Sequence, residues 1–250
     1  RDLGRPQEPS AAPGGAGCQA ARPAAPLFAG REGSAARAPP KTVVFCLDWS
    51  ASMQSRDTGT PLSRFETCVA CLRRILREQV RDCDTVGVVA FGSGVRVVAA
   101  PTLKGSGRGL LEGSVAGLRP EAAGGTCFFD AVAQCLQLLS QADVTPAGAS
   151  PWLVCLTDGD DLGSQPHNAR GQAVTRMLEA GIPAALNMFV ITVGALKAAN
   201  MQVIDAWVGR AQAAGGLAKH LSERDAATIS RAFDVVAECL AAEVGGATEC

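Results

Sequence analysis

Short apolar segments alternate with longer segments of helical periodicity from Lys41 to the end of the chain. An unbroken apolar run is typical of a buried strand, whereas apolar residues that recur every three or four positions indicate a helix with one buried face. Strands are predicted at 41–47, twice within 85–100, within 151–161, at 184–194 and, as a weak edge strand, at 217–221. Helices are predicted around 65–76, 107–118, 129–139, 168–180, 203–211 and 223–243.

This order of elements predicts an α/β domain with a mainly parallel sheet that helices cover on both faces. Strands that are apolar throughout need cover on both faces, and a helix between two strands normally connects parallel neighbours. The segment 85–100 is different, because its two strands are separated by the glycine-rich turn 92–94, which predicts an antiparallel hairpin. The helix after the first strand begins with Ser63-x-x-Glu66, the pattern of a capping box.

Composition divides the chain into a low-hydrophobicity segment and a domain. Residues 1–40 are rich in Ala, Pro and Gly and hold few large apolar residues, so they cannot offset their ordering entropy by burial. We predict a disordered linker at 1–40, a domain at 41–243 and a short tail at 244–250. Since the first residue is Arg1, we also expect the chain to be a piece of a longer protein.

Charge and cysteine usage exclude some classes of partner. The net charge is −1, which predicts no general attraction to nucleic acid, and no apolar run is long enough to span a membrane. Most of the ten cysteines lie in apolar strand-like runs or on apolar helix faces, where they act as small hydrophobic residues. We therefore predict reduced thiols and an intracellular, cytoplasmic location.

Two of the predicted strands end in acidic, hydroxyl-rich loops. The first ends at Asp48, and Ser50 and Ser52 follow at a spacing of two, which puts side chains on one side of an extended chain. The fourth ends at Thr157 and Asp158. Ligands of parallel α/β sheets bind outside the carboxyl ends of the strands, where the strand order reverses. We therefore expect a functional crevice where these two strand ends meet.

A third segment adds another oxygen donor, because Thr126 follows the pair Gly124-Gly125. The five candidate ligands, all with oxygen side chains, are Asp48, Ser50, Ser52, Thr126 and Asp158. Oxygen-only sets suit hard cations such as Mg²⁺, or Mn²⁺, and two carboxylates balance a divalent charge. Ser and Asp also stabilise loops through their own backbone, which would explain one of the three segments but not all of them.

The three segments together resemble the metal-ion-dependent adhesion site (MIDAS) of von Willebrand factor type A (vWA) domains. That pattern is Asp-x-Ser-x-Ser, then a distant Thr, then a distant Thr-Asp-Gly, and here it reads DWSAS at 48–52, GGT at 124–126 and TDG at 157–159. Ala51 stands where the family often has Gly, and it would be strained if that position needs a positive φ. The resemblance runs from about 41 to 243.

Membership of this family would imply a Rossmann-like, three-layer α/β/α domain with a six-stranded sheet. The sheet would be mostly parallel, with one antiparallel edge strand and with the first and fourth strands side by side. The five oxygen residues would hold Mg²⁺ or Mn²⁺, and an Asp or Glu of a partner protein would complete its shell. The variable residues expected to form a partner-binding rim are Trp49, Arg56, Asp160, Asp161 and Arg170. The two acidic members of this rim are more typical of solvated loop or capping residues.

Two other readings stay open. The chain could be a magnesium-dependent phosphohydrolase of haloacid-dehalogenase-like layout, although such enzymes need a second carboxylate where this chain has Ser50. No Gly-x-Ser-x-Gly elbow occurs, and neither His167 nor His220 has an evident partner, so we predict that the chain is not an enzyme. The second alternative is a vWA scaffold that binds partners without metal.

Overall fold

The computed structural model describes residues 38–57, 60–122, 124–223 and 226–242, with the side chains of 226 and 227 excepted. All of these residues belong to one unit, Ala36–Cys250. The predicted linker lies outside the described residues except for its last three, and the predicted tail lies wholly outside them. Those last three residues contact the domain, because Arg81 Nη1 donates to Ala38 O at 3.0 Å and Ser150 N donates to Pro40 O at 2.9 Å.

Six strands in the described part of the chain form one sheet in the order β3-β2-β1-β4-β5-β6. All neighbours are parallel except β2 and β3, which pair antiparallel at one edge. The strands are β1 Lys41–Asp48, β2 Thr85–Phe91, β3 Val95–Leu103, β4 Ser150–Thr157, β5 Asn187–Val193 and β6 Ala218–Glu223. The mostly parallel six-stranded sheet with an antiparallel edge strand is therefore confirmed, and β1 and β4 are direct neighbours at its centre.

Within the described residues, six helices cover the two faces of this sheet. They are α1 Arg64–Glu78, α2 Lys104–Ala116, α3 Phe128–Leu139, α4 Gln172–Glu179, α5 Ala198–Ala213 and α6 Ala226–Ala242. Alternate residues of β1 serve the two cores: Phe45 and Leu47 pack with α1, α2 and α6, whereas Val44 and Cys46 pack with α3, α4 and α5. This period of two explains why β1 is apolar throughout, since both of its faces are buried.

The predicted capping box starts α1. Ser63 Oγ accepts a hydrogen bond from Glu66 N at 3.1 Å, and a Glu66 carboxylate oxygen accepts one from Ser63 N at 2.7 Å. Two otherwise unpaired amides of the first turn are satisfied in this way. The cap also fixes Arg64 as the first residue of α1, at the end of the helix that lies nearest the carboxyl end of β1.

The predicted starts of α4 and β5 are too early, and each error has a local cause. Helix α4 begins at Gln172 rather than near 168, because the preceding 3₁₀ turn Pro166–Gly171 ends in the left-handed region, with φ of 55° at Arg170 and 67° at Gly171. Strand β5 begins at Asn187 rather than at 184, because Ala185 adopts a φ of 49° that takes the chain out of the extended conformation.

Every cysteine of the described residues is free. Cys46, Cys135 and Cys155 lie together between β1, α3 and β4, and burial raises the pKa of each of these thiols. They pack as small hydrophobic side chains rather than as nucleophiles. In the part of the chain that is described, no helix is both long enough and apolar enough to cross a membrane.

Candidate metal site

Asp48, the last residue of β1, is fully buried and accepts two hydrogen bonds. Its Oδ1 accepts from Ser50 N at 2.8 Å, and its Oδ2 accepts from the hydroxyl of Thr157 at 2.7 Å. The parallel register pairs Leu47 with Leu156, which brings the carboxyl ends of β1 and β4 to the same level of the sheet. The ends of these two strands, between which a crevice was expected, are therefore direct neighbours.

Ser50, Ser52 and Asp158 join the same hydrogen-bonded cluster. The hydroxyl oxygens of Ser50 and Ser52 lie 3.0 Å apart, and Ser52 Oγ donates to Asp158 Oδ1 at 2.7 Å. The 3₁₀ turn Ala51–Gln54 gives this loop its shape. Ala51 has a negative φ, so its methyl group meets no backbone strain at the position where the family often has Gly.

Thr126 lies against the loop that follows β4. Its Oγ1 is 3.4 Å from the point where a Cβ on Gly159 would stand, and its carbonyl accepts hydrogen bonds from Leu162 N and Gly163 N at 3.0 and 3.2 Å. Thr126 is buried, and Gly124 before it adopts a φ of 143° that a side chain would strain. Thr126 therefore lies beside the loop of Asp158, at the same end of the sheet as Asp48, Ser50 and Ser52.

The two carboxylates of the site have different electrostatic surroundings. Burial, followed by the nearby charge of Asp158, raises the pKa of Asp48 to about 6, although its hydrogen bonds to Ser50 and Thr157 oppose the shift. Asp158 instead meets a cation, because Arg64 Nη1 donates to Asp158 Oδ2 at 2.8 Å. The same guanidinium forms an ion pair with Asp57.

Sequence reasoning missed Arg64 and Asp57. Arg64 stands 94 positions before Asp158, and the only local sign of its role is that it directly follows the cap residue Ser63. Helix α1 brings its first residue under the loop after β4, which no short-range pattern predicts. The side chain of Arg64 is 16% exposed and that of Asp158 is not exposed, so this ion pair is held largely away from water.

The predicted rim residues nearest β1 are Trp49 and Arg56. Trp49 packs partly buried against the core, its backbone N donates to Phe91 O at 2.9 Å, and its indole Nε1 is buried with no hydrogen-bond partner among the described residues. Arg56 is exposed and donates from Nη1 to Pro61 O at 3.0 Å. Trp49 therefore has a largely structural environment, whereas Arg56 presents its charge to solvent.

Asp160 and Asp161 connect the loop after β4 to the starts of two helices. Asp160 Oδ1 accepts from Lys197 N and Asn200 Nδ2, both at 2.8 Å, at the start of α5. Asp161 Oδ1 accepts from Phe129 N at 3.0 Å at the start of α3. Acidic side chains at helix N-termini satisfy free amides and complement the helix dipole. Of the two readings of these acids, the structure supports the capping one.

Arg170, the last predicted rim residue, lies farther along the 3₁₀ turn before α4. It lines a groove between α4 and α5 together with Thr175 and Arg210. Within the described part of the chain, no hydrogen bond or ion pair connects Arg170 to the cluster around Asp48.

A second network includes His220, for which the expectation of no partner is wrong. His220 Nδ1 donates to Asp205 Oδ1 at 2.6 Å, and His220 Nε2 lies 3.0 Å from the hydroxyl of Thr192. Thr192 is fully buried within the sheet, so this order of groups offers no accessible nucleophile. The network instead joins the edge strand β6 to α5 and β5.

The residues of the cluster fit a hard divalent cation. They offer carboxylate and hydroxyl oxygens at the end of two neighbouring strands, and Asp48 is buried with neutral hydrogen-bond donors as its partners. Among the described residues, no group of three or more His, Cys, Asp and Glu could hold a metal ion, so the hydroxyls are essential to the donor set. Such a set favours Mg²⁺ or Mn²⁺ over softer metals.

Comparison with known proteins assigns the class of this domain. Residues 43–160 match the family model of the von Willebrand factor type A domain, a range that includes all five candidate ligands. This match identifies residues 43–160 as vWA-domain sequence. The family predicted from the sequence motifs is therefore confirmed.

Solved structures with the same fold cover most of this chain at low sequence identity. A von Willebrand factor type A protein from Catenulispora acidiphila is 22% identical, with a TM-score of 0.58, over 83% of this chain and 43% of its own. The PilB minor pilin from Streptococcus sanguinis is 14% identical, with a TM-score of 0.60, over 82% and 62%. Proximal thread matrix protein 1 from the mussel byssus, in a structure with a zinc-occupied MIDAS motif, is 11% identical, with a TM-score of 0.58, over 80% and 48%.

These three proteins are all longer than the region that they share with this chain, which spans less than two thirds of each. Their likeness establishes the fold and carries no activity with it. No curated protein sequence matches this chain.

Proposed function

We propose that this vWA domain is a protein-interaction module that binds Mg²⁺ or Mn²⁺ through Asp48, Ser50, Ser52, Thr126 and Asp158, and that it recognises an acidic residue of a partner protein. The observation that carries the proposal is the buried carboxylate of Asp48, whose partners are a backbone amide and a hydroxyl. A buried charge with neutral partners is costly, and a divalent cation would compensate it.

Each of the five proposed ligands would have a defined role in this recognition. Asp48 and Asp158 would supply negative charge, and Ser50, Ser52 and Thr126 would supply neutral oxygen. When bound, the ion supplies positive charge and a coordination position that a carboxylate from outside can fill. A lysine of a partner offers no oxygen to that position, so the site would discriminate by sign of charge. Exposed Arg56 would add attraction for an acidic partner at the rim.

A catalytic role finds less support in the cluster. Both carboxylate oxygens of Asp48 already accept hydrogen bonds, and Ser50 stands where a haloacid-dehalogenase-like phosphohydrolase needs a second carboxylate. We therefore propose a binding module without catalysis. The buried, free cysteines favour a reducing, intracellular location such as the cytoplasm, and this also belongs to the proposal.

One observation favours the alternative of a vWA scaffold that binds without metal. Arg64 already donates to Asp158 Oδ2 at 2.8 Å, so the chain provides a cation of its own to one of the two carboxylates. Arg64 leaves Asp48 with neutral partners, however, and the metal-dependent reading therefore explains more of the cluster.

Calorimetric titration with Mg²⁺ and with Mn²⁺ tests the proposal. We expect saturable binding to the parent chain and a loss of at least tenfold in affinity for Ser52→Ala, because the exposed hydroxyl of Ser52 is a proposed ligand and its loss leaves the core intact. Ser55→Ala, in the same loop but outside the cluster, is the matched control. Equal metal affinity in the parent, Ser52→Ala and Ser55→Ala would show that the ligands are misassigned.

A further inference from the structure

A groove of about 450 Å³ runs between α1 and the segment that follows α2. Phe65, Val69 and Arg73 lie at intervals of four along α1 and therefore share the helix face that forms one wall. Leu118 and Arg119 contribute to the opposite wall. The lining of the groove thus combines apolar side chains with guanidinium groups.

Arg73 is the unexplained group in this groove. It is partly buried in the middle of α1, and its Nε is buried with no hydrogen-bond partner among the described residues. No ion pair within the described residues involves its guanidinium either. A buried donor without a partner is costly, and a guanidinium presents a fork of donors that matches a carboxylate. A carboxylate is therefore a chemically suitable partner for the guanidinium of Arg73.

The other charged groups of the groove leave an excess of positive charge. Three arginines, Arg56, Arg73 and Arg119, face one acid, Glu66. The carboxylate of Glu66 is engaged by the backbone of Ser63 in the capping box, and its distance to Arg56 Nη2 is 3.9 Å. Arg119 uses Nη1 on the carbonyls of Ala116 and Leu118, so the rest of its guanidinium stays available.

The groove begins beside the candidate metal site. Gln54, at the end of the 3₁₀ turn that contains Ser52, lines the groove, and its Nε2 donates to Glu121 O at 2.7 Å. Arg56 follows in the same loop. The loop that contains Ser52 therefore also supplies two residues of the groove lining, Gln54 and Arg56.

We propose that the groove is a second docking site for an acidic segment of the protein partner, with an Asp or Glu side chain paired to Arg73 and Arg119. This inference rests on the proposed function for the acidic nature of the partner, but it requires no metal. The apolar lining residues accept the aliphatic part of the entering side chain, and the guanidinium groups select for its carboxylate. Recognition then has two points, one at the metal and one in the groove.

Titration of the full chain with a hexaglutamate peptide in the presence of EDTA tests the groove alone. NMR detection of the arginine Nε–Hε signals shows directly which guanidinium responds. We expect the Arg73 signal to shift with hexaglutamate and to stay unchanged with hexaglutamine. We expect Arg73→Gln and Arg119→Gln each to weaken hexaglutamate binding by about fivefold to tenfold, the usual scale for loss of a charge-assisted pair.

The control is Arg96→Gln, which removes the same charge from an exposed position on the edge strand β3. Arg119 is exposed, so Arg119→Gln reports on binding even if substitution of Arg73 disturbs α1. Equal weakening by Arg96→Gln and by the two groove variants would overturn the proposal, as would an unshifted Arg73 signal. Because EDTA is present throughout, a failed metal site leaves this result unaffected, and a failed groove leaves the Mg²⁺ titration unaffected.

Discussion

The two carboxylates of the candidate metal site, those of Asp48 and Asp158, are stabilised in different ways. Asp158 has Arg64 as a charged partner, whereas Asp48 relies on Ser50 N and the hydroxyl of Thr157. Neutral donors offset only part of the cost of burying a charge, and the pKa of Asp48 is accordingly raised to about 6, mainly by burial. The metal-free domain therefore carries an unfavourable charge at this one residue.

Removing that charge should stabilise the metal-free protein. The pKa of Asp48 is raised from its ordinary value of 3.8 to about 6 in the folded state. The folded state therefore loses stability as the pH rises from about 4 to about 6. Asp48→Asn keeps an acceptor for Ser50 N and lacks the charge. With EDTA at pH 7.5 we expect it to unfold in urea with a free energy about 1–3 kcal/mol higher than the parent.

The difference in unfolding free energy between Asp48→Asn and the parent should disappear near pH 4. Asp48 of the folded parent is protonated there, so it is uncharged like the asparagine. Ser52→Ala, which keeps the Asp48 carboxylate, should show no such pH-dependent gain. A variant less stable than the parent at pH 7.5 would mean that the carboxylate of Asp48 is already compensated in the metal-free fold.

Arg64 should weaken metal binding, because it places a positive charge in contact with Asp158. Repulsion between two cations a few ångströms apart in a partly buried site outweighs the modest benefit of holding one carboxylate in place. We expect Arg64→Gln to bind Mg²⁺ about tenfold more tightly by calorimetry. Arg77→Gln, farther along α1 and exposed, should leave the affinity unchanged. Weaker binding by Arg64→Gln would instead show that its main effect is to orient Asp158.

At the scale of elements, the 3₁₀ turn Pro166–Gly171 joins the site loop to α4. Asn168 fixes this turn, since its Nδ2 donates to Asp130 at 2.9 Å and its Oδ1 accepts from Ala173 N at 3.0 Å. Gly171 then allows α4 to pack closely on Trp207 of α5, because a Cβ there would lie 2.1 Å from Trp207 Cζ2. The spacing of α4 and α5 therefore depends on the absence of a side chain at Gly171.

Gly171→Ala should destabilise the domain by about 2–5 kcal/mol, since it combines a clash in a packed core with an alanine at a φ of 67°. Gly209→Ala in the exposed part of α5 is the matched control, where an added methyl meets no atom within 4 Å. It should stabilise α5 by about 0.5–1 kcal/mol. Urea unfolding measures both, and equal effects of the two substitutions would contradict this account of the α4–α5 contact.

At the scale of the whole molecule, the strand order creates the site. The order β3-β2-β1-β4-β5-β6 reverses direction between β1 and β4. The loops after these two strands therefore face each other at the carboxyl end of the parallel strands. Ser52 and Asp158 are 106 positions apart in the chain and only 2.7 Å apart at their oxygens. A cation at this edge would connect loops from separate parts of the chain and should stabilise the fold as a unit.

Mg²⁺ at a concentration of 100 times its Kd should raise the free energy of unfolding by about 2.7 kcal/mol. Thr126→Val retains the shape of the buried side chain and removes its oxygen, so we expect it to lose most of this Mg²⁺-dependent gain. Its Tm in EDTA should stay close to that of the parent. Thr102→Val, at a partly buried position of the edge strand β3, should retain the full gain. A full gain in Thr126→Val would remove Thr126 from the ligand set.

Periodicity and local signals in the sequence were sufficient to predict the fold class, the helices and strands, and the capping box. Three short motifs were sufficient to name the candidate ligands. These features depend on residues that are close in the chain, such as Ser63 with Glu66 or Asp48 with Ser50 and Ser52, so neighbouring positions carry the information. The boundaries that failed lie at Arg170 and Ala185, where single residues adopt a positive φ that their side chains do not predict.

Contacts between distant residues were decided by the tertiary structure alone. The ion pair of Arg64 with Asp158, the network around His220 and the groove that contains Arg73 all join side chains from elements that are packed together by strand order and helix docking. Such contacts leave no periodic or short-range pattern, because each partner alone is an ordinary surface or helix residue. They follow from burial of the two apolar faces of the sheet, which fixes where each helix lies and therefore which charges meet.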